Sequence, residues 1–343
     1  MTASIQTALA KFPDIALFTA PTPIQRLERL ERALGDACRG VKIFVKRDDH
    51  MELGGGGGNK LRKLEFHLGA ARAEGADTII TVGGVQSNHA RLTAAAAAKL
   101  GLACELMLSR AVPRAEDGYD DNGNVLLDRL FGAQVSISAA GTDPFALAQQ
   151  RAETLRAAGR KVYLMPSGGS TAIGALGYVR CALEIIGQEE ALGEQFREVV
   201  VANGSSGTHA GLAAGFTMLD RGAAMVRSYS VLADPEPTRQ KTLQLLCDTL
   251  KLLGDSRVPG EEAIDVDGAF RGPGYGLPTD PMIEAVRLLA AHEGLLLDPV
   301  YSGKAFAGLL AAIRQGHYAP GDSVLFVMTG GIPGLYVYQS VFR

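Results

Sequence analysis

The sequence predicts an α/β fold in which parallel strands are covered by helices on both faces. Three observations carry this. Short apolar strand patterns alternate with longer helical periods along most of the chain. Three loops rich in glycine or serine each follow a strand or open a helix, as ligand loops do in open parallel sheets. The length of 343 residues, 47% of them hydrophobic, is more than one simple layer needs and makes two domains the expectation.

In chain order, Val41 to Lys46 reads as a strand, Lys60 to Glu74 as a helix with Leu61, Leu64 and Leu68 on one face, and Thr78 to Val82 as a strand. Ser87 to Leu100 is a helix, alanine-rich from Ala94 to Ala98, that Ser87 can cap. Strand Cys104 to Leu108, helix Val125 to Phe131, strand Gln134 to Ser138, helix Pro144 to Ala158 and strand Lys161 to Met165 follow. Beyond Pro166-Ser167-Gly168-Gly169-Ser170, a helix to Ile186 leads to strand Glu198 to Ala202 and a helix from Thr208. Strand signals return at Ser228 to Leu232 and Ser323 to Met328. The Pro/Gly-rich stretches 166–170 and 271–278 read as crossings and site loops.

Composition narrows the function. A net charge of −3 offers no basic face for nucleic acid. Residues Met1 to Pro13 lack a basic region followed by a long apolar core, and other apolar runs are broken before they could span a bilayer, so a cytoplasmic protein without a membrane partner is expected. Cys38, Cys104, Cys181 and Cys247 are dispersed and are expected to be reduced thiols. Small-molecule chemistry is favoured.

The run Gly54 to Gly58 empties through Asn59 and Lys60 into a helix whose first amides, Leu61 to Leu64, suit an anion. A P-loop would place Ser or Thr after the lysine, and a dinucleotide fingerprint would need an acidic residue on a following strand, so neither nucleotide reading fits. A flexible loop before a surface helix is the plainer alternative. The second loop, Gly83 to His89, needs nothing beyond helix capping by Ser87. The third, Asn203 to Thr208, offers amides and hydroxyls at a helix start with no lysine of its own, which suits a phosphate monoester.

Taken together, Gly-Gly-Asn-Lys60-Leu-Arg-Lys-Leu-Glu, Gly-Gly-Val-Gln-Ser87-Asn88-His89-Ala-Arg, Gly207-Thr-His-Ala-Gly, Asp298-Pro-Val-Tyr-Ser-Gly-Lys304 and Thr329-Gly-Gly-Ile-Pro333 resemble, in order along nearly the whole chain, the pyridoxal-phosphate enzymes related to D-cysteine desulfhydrase and 1-aminocyclopropane-1-carboxylate deaminase. The resemblance implies fold type II of the pyridoxal enzymes: two open, twisted, parallel-rich sheets, with pyridoxal 5'-phosphate in the cleft between domains. The smaller domain would be residues 63–171 and the larger 1–62 with 172–343. It also implies an amino-acid lyase that is a homodimer. Lys60 would carry the cofactor through its amine, and Gly204, Ser205, Ser206, Gly207 and Thr208 would cradle the phosphate. Asn88 would bond the ring oxygen, while Ser87 and His89 would meet the substrate carboxylate or lie near its Cα. Tyr275 and Tyr301 match the family's two active-site tyrosines.

Two positions divide the family. The cyclopropane deaminases carry Glu and Leu where this chain has Ser302 and Thr329, the pair resembling the desulfhydrases. A hydroxyl in place of a carboxylate leaves the pyridine ring less electron-withdrawing, which suffices when a good leaving group departs from Cβ. Elimination from D-cysteine is therefore the expected reaction, with L-cysteate, 3-chloro-D-alanine and then the cyclopropane amino acid as alternative substrates, and a non-catalytic amino-acid-binding protein as the alternative class. His67, His209, His292 and His317 form no metal spacing and are expected at the surface or at helix ends. Asp48 and Asp49 are expected to be structural. The departure His50-Met-Glu-Leu before the five glycines is expected to line the mouth of the site.

Overall fold

Runs such as Ile43-Phe44-Val45, Val199-Val200-Val201 and Val324 to Val327 carry apolar side chains at successive positions, so a strand made from them must be covered on both faces. The computed structural model describes residues 2–114 and 116–343. Its strands are β1 (Ile24–Arg26), β2 (Lys42–Lys46), β3 (Thr78–Gly84), β4 (Ala103–Ser109), β5 (Gln134–Ser138), β6 (Val162–Met165), β7 (Phe196–Asn203), β8 (Val226–Ser230), β9 (Asp265–Asp267) and β10 (Ser323–Val327). Its helices are α1 (Thr2–Leu9), α2 (Glu28–Leu34), α3 (Lys60–Ala73), α4 (Asn88–Leu100), α5 (Asn124–Leu130), α6 (Pro144–Ala157), α7 (Ala172–Leu192), α8 (Gly207–Met218), α9 (Pro235–Leu252), α10 (Asp280–Glu293), α11 (Ser302–Arg314) and α12 (Ile332–Tyr336).

The strands form two sheets, one of six in the order β1-β2-β10-β7-β8-β9 and one of four in the order β5-β4-β3-β6. Every neighbouring pair is parallel except β1 on β2. Three crossing helices, α4, α5 and α6, tie the smaller sheet together through residues 78–165, and the larger sheet draws on chain from both sides of that segment. One apolar cluster lies under α7, α8 and α9, and another packs α10 and α11 on the opposite face of the same sheet. Helices α9, α10 and α11 are not anticipated by the pattern reading, and α7 runs on past Ile186 to end at Gly193 in the left-handed conformation.

Helix α3 departs most from its sequence pattern. A single apolar face is expected, yet Arg62, Lys63, Glu65 and His67 are buried along with the leucines. Charge pairing makes this possible. Arg62 donates from Nε to Asp48 Oδ2 at 2.9 Å and from Nη2 to Asp48 Oδ1 at 2.8 Å, and its Nη1 reaches Glu184 Oε1 at 2.8 Å. Tyr178 OH and Thr22 Oγ1 also donate to Asp48, and Lys46 Nζ donates to Glu184 at 2.8 Å. Two cations thus face two carboxylates in a network that is neutral overall, the condition under which buried charges persist. A Cβ on Gly177 would come within 2.0 Å of Arg62 O, so α3 and α7 touch backbone to backbone. This packing, two residues after Lys60, fixes the start of α3. Asp48 is structural, as expected. Among the described residues no helix is long and apolar enough to cross a membrane.

Candidate active site

The carboxyl ends of strands from both sheets face one cavity of about 200 Å³. Its wall takes Asn59 and Lys60 from the start of α3, Val82 to Gly84 from the end of β3, and Ser87, Asn88 and His89 from the start of α4. Residues 202–208, leaving β7 and entering α8, supply a third side, and Tyr275, Tyr301 and Thr329 close the fourth.

Of the residues that the sequence marks, Lys60, Ser87, Asn88, His89, Gly204, Ser205, Ser206, Gly207, Thr208, Tyr275, Tyr301 and Thr329 all reach this wall, and Ser302 does not. Ser302 opens α11 behind Tyr301, where its hydroxyl donates to Asp298 Oδ1 at 2.5 Å and accepts from Asp298 N at 2.9 Å. A hydroxyl so engaged holds the Asp298 loop rather than a substrate. The five glycines also stay off the wall. Each has φ between +53° and +132°, and Arg91 of α4 donates to the carbonyls of Gly54, Gly55 and Gly57. A Cβ on Gly57 would meet Met51 O at 2.3 Å. The run is therefore a built turn wrapped on a buried guanidinium, not a flexible loop, and His50 to Leu53, expected at the mouth of the site, stay off the wall with it.

Electrostatics in the cavity follow from burial. Lys60 has only the Asp298 carboxylate to favour its charged form, and desolvation prevails, bringing its pKa down to about 8. Asp298 itself is pushed up by burial, although it accepts from the amides of Val300, Tyr301 and Ser302. Tyr275 and Tyr301 hydrogen-bond through their hydroxyls, and burial raises both pKa values, so the pair is neutral. The loop carrying Tyr275 is tied to α11 by Lys304, which donates to Arg271 O at 2.6 Å and Gly274 O at 3.1 Å.

His89 is held as one neutral tautomer. Thr81 Oγ1 donates to Met165 O at 3.1 Å and so accepts from His89 Nε2 at 2.8 Å, which leaves Nδ1 a bare acceptor without a protein partner. Desolvation keeps the ring uncharged. Two histidines expected outside are in fact inside: His67 bonds Gly169 O at 3.1 Å, and His209 bonds Ser228 Oγ at 2.8 Å. Neither belongs to a metal cluster; among the described residues no group of three or more potential ligands exists.

The third loop fits a phosphate on its own geometry. Ser206 takes φ +72°, rare for a residue with a side chain, and its buried Oγ has no partner. A Cβ on Gly207 would meet both Lys63 Nζ and Ser170 Oγ at 2.7 Å. Asn59 Nδ2 donates to Thr208 Oγ1 at 3.0 Å, joining α3 to the cup. An orphaned hydroxyl, a helix N-terminus and a nearby lysine form a receptacle for an anion beside Lys60. Lys63, Ser170 and Asn59 are additions that the loop motifs do not reveal.

One titration follows. In the apoprotein, labelling of Lys60 by an amine-reactive probe should rise with pH about a midpoint near 8, well below the ordinary lysine value of 10.5. Site-resolved mass spectrometry across pH 6–11 checks it, and a Lys60 midpoint near 10.5 contradicts the desolvated site.

Comparison with known proteins covers the stretch of chain that carries these residues. The pyridoxal-phosphate dependent enzyme family matches residues 15–330. D-cysteine desulfhydrase of Serratia proteamaculans is 43% identical over 338 residues, covering 98% of this chain and 99% of its own. The enzyme of that name from Salmonella typhi is 44% identical over 332 residues, 96% of this chain and 98% of its own. The crystal structure of an ACC deaminase homologue superposes with a TM-score of 0.87 at 39% identity, covering 100% of this chain and 99% of the other. A pyridoxal 5'-phosphate-dependent aspartate racemase shares the fold at a TM-score of 0.65 and 15% identity, over 96% of this chain and 95% of its own. With an anion cup, a desolvated lysine at a helix start and kinship over nearly its full length, the chain belongs to the family of pyridoxal-phosphate dependent enzymes.

Proposed function

We propose that this enzyme eliminates the β-substituent of a small amino acid, with D-cysteine as substrate, so that D-cysteine and water give pyruvate, hydrogen sulfide and ammonia. The observation that carries the reading is the make-up of the cavity wall: hydroxyls, amides, one imidazole and one lysine, with Thr329 present and the neighbouring carboxylate, Asp298, held off the wall by Ser302 and three backbone amides. The near-full-length relatives named D-cysteine desulfhydrase support it.

When bound, pyridoxal phosphate supplies an electron sink conjugated to the substrate's Cα. The chain's residues do the rest. Gly204 to Thr208 hold the phosphate, and Asn88 donates to the ring oxygen. Lys60, with a pKa of about 8, holds the cofactor and then moves the Cα proton on its Nζ. Ser87 binds the substrate carboxylate, the neutral His89, whose free Nδ1 can only accept, lies near Cα, and the neutral tyrosine pair, sharing one hydrogen bond, keeps a second hydroxyl proton to offer the departing sulfur. Thr329, on the cavity wall, would offer a hydroxyl to the ring nitrogen. Residues 63–171 form the smaller domain and 1–62 with 172–343 the larger. The protein is read as a cytoplasmic homodimer, the first supported by four unpaired thiols and the second by the family resemblance.

Pyruvate release from a panel of D- and L-β-substituted alanines tests the substrate. D-Cysteine should exceed L-cysteine, L-cysteate and 3-chloro-D-alanine in kcat/KM. Faster turnover of L-cysteate, with sulfite as co-product, would reassign the enzyme.

A further inference from the structure

Asn88 can donate to a ring oxygen only if its amide presents nitrogen, not oxygen, to the cavity, and the orientation of an asparagine is set by its partners. Those partners lie on α5. Asn124 Nδ2 donates to Gln86 O at 3.1 Å and to Asn88 Oδ1 at 3.0 Å. The first acceptor is a backbone carbonyl, so the Asn124 atom facing it must be nitrogen. The second hydrogen of that nitrogen then requires an oxygen on Asn88, which turns Asn88 Nδ2 the other way. Among the described residues that Nδ2 donates to no protein acceptor, and a Cβ on Gly331 would lie only 2.7 Å from it. The relay is anchored at its far end too. Gln86 Nε2 donates to Tyr119 O at 2.6 Å and Asn122 O at 3.0 Å, so its Oε1 accepts from the Asn124 amide at 2.9 Å.

The structure retains this arrangement at a cost. Asn124 is fully buried and its Oδ1 has no partner, a penalty that an apolar residue of similar size would avoid. We infer that Asn124 is a positioning residue that fixes Asn88 as a hydrogen-bond donor toward the oxygen of the bound cofactor ring. The inference rests on the reading of Asn88 given above. It accounts for the orphaned oxygen, because a side chain chosen for its two N–H groups carries the carbonyl along with them.

The test compares Asn88→Ala, Asn124→Leu, Asn124→Ala and the double variant Asn88→Ala/Asn124→Leu with the natural enzyme. Three quantities are read: the Kd of pyridoxal phosphate for the apoprotein, the pH midpoint of the holoenzyme's visible absorption, and the Tm of the apoprotein. Asn124→Leu should raise Kd by about three- to tenfold, the range of one hydrogen bond, and shift the absorption midpoint in the direction that Asn88→Ala does. Its apoprotein Tm should equal or exceed that of the natural chain. The double variant should match Asn88→Ala alone, since the two residues act through one donor. If Asn88→Ala alters Kd and spectrum while both Asn124 variants leave them unchanged, or if the effects add, the inference is overturned. If Asn88→Ala alters neither, the reading of Asn88 itself falls.

Discussion

Lys60→Ala is expected to abolish turnover of D-cysteine, by on the order of a thousandfold or more, because in the proposed function one side chain both holds the cofactor and moves the proton at Cα. Borohydride treatment followed by peptide mapping should find the reduced cofactor on Lys60 in the natural enzyme and on no residue in the variant. The anion cup survives the change, since Asn59, Ser206 and Thr208 come from other positions and Arg62 still fixes α3. Weak, reversible cofactor binding should therefore persist in Lys60→Ala and be measurable by equilibrium dialysis. Full activity in the variant, or a reduced adduct elsewhere, would remove Lys60 from its role.

Asp48→Ala is expected to be the most destabilising single change away from the cavity. It leaves the Arg62 guanidinium, fully buried, with Glu184 as its one remaining carboxylate, and breaking such a pair costs about 3–5 kcal/mol. Burial opposes ionisation of Asp48, yet Arg62, Lys46 and Tyr178 together hold its pKa below the usual 3.8. Glu184 is likewise held below 4.5. A carboxylate with a depressed folded-state pKa contributes stability that is present above its unfolded value and lost as pH falls through the folded one. The natural protein should thus lose stability progressively below about pH 4, and the acid limb should be shallower in Asp48→Ala. Urea unfolding from pH 3 to 7 checks both; an unchanged midpoint in the variant at pH 7 would show the network to be dispensable.

Lys60 and Arg62, the partner that Asp48 holds, sit two positions apart at the start of α3, and only half of that unit was legible in the sequence. Lys60 announced itself because a glycine run and a helix start are local features. The partners of Arg62 are not local: Asp48 lies 14 residues back and Glu184 122 residues on. A periodicity reading assigns charges to solvent, so Arg62, Lys63 and His67 gave no sign of burial. The same blindness hid Arg91, which reaches 34 to 37 residues to the glycine carbonyls, and Asn124, which reaches 36 to Asn88. Ser302 was misplaced for a different reason: beside a motif tyrosine it reads as a cavity residue, whereas its hydroxyl turns back to Asp298 four residues away. Most strands and the ligand loops were legible, because β-branched runs and positive-φ glycines leave a short-range signature, whereas the three-residue strands Ile24–Arg26 and Asp265–Asp267 are too short to leave one. Helix α10 carried a start signal that the pattern reading missed, Thr279 before Asp280-Pro281, and the structure shows Thr279 Oγ1 accepting from Met282 N.

Placement of Ser302 also sharpens what distinguishes this site from a cyclopropane deaminase. A carboxylate introduced there would face Asp298, which leaves Thr329 as the one of the two hydroxyls on the cavity wall and, in the proposed function, the one beside the ring nitrogen. The most direct measurement is a paired assay on the unmodified enzyme: sulfide from D-cysteine and α-ketobutyrate from 1-aminocyclopropane-1-carboxylate, at matched enzyme and substrate concentrations. Rapid sulfide release, with pyruvate in equal amount, and little or no α-ketobutyrate are the expected result. Robust α-ketobutyrate formation without sulfide would contradict it.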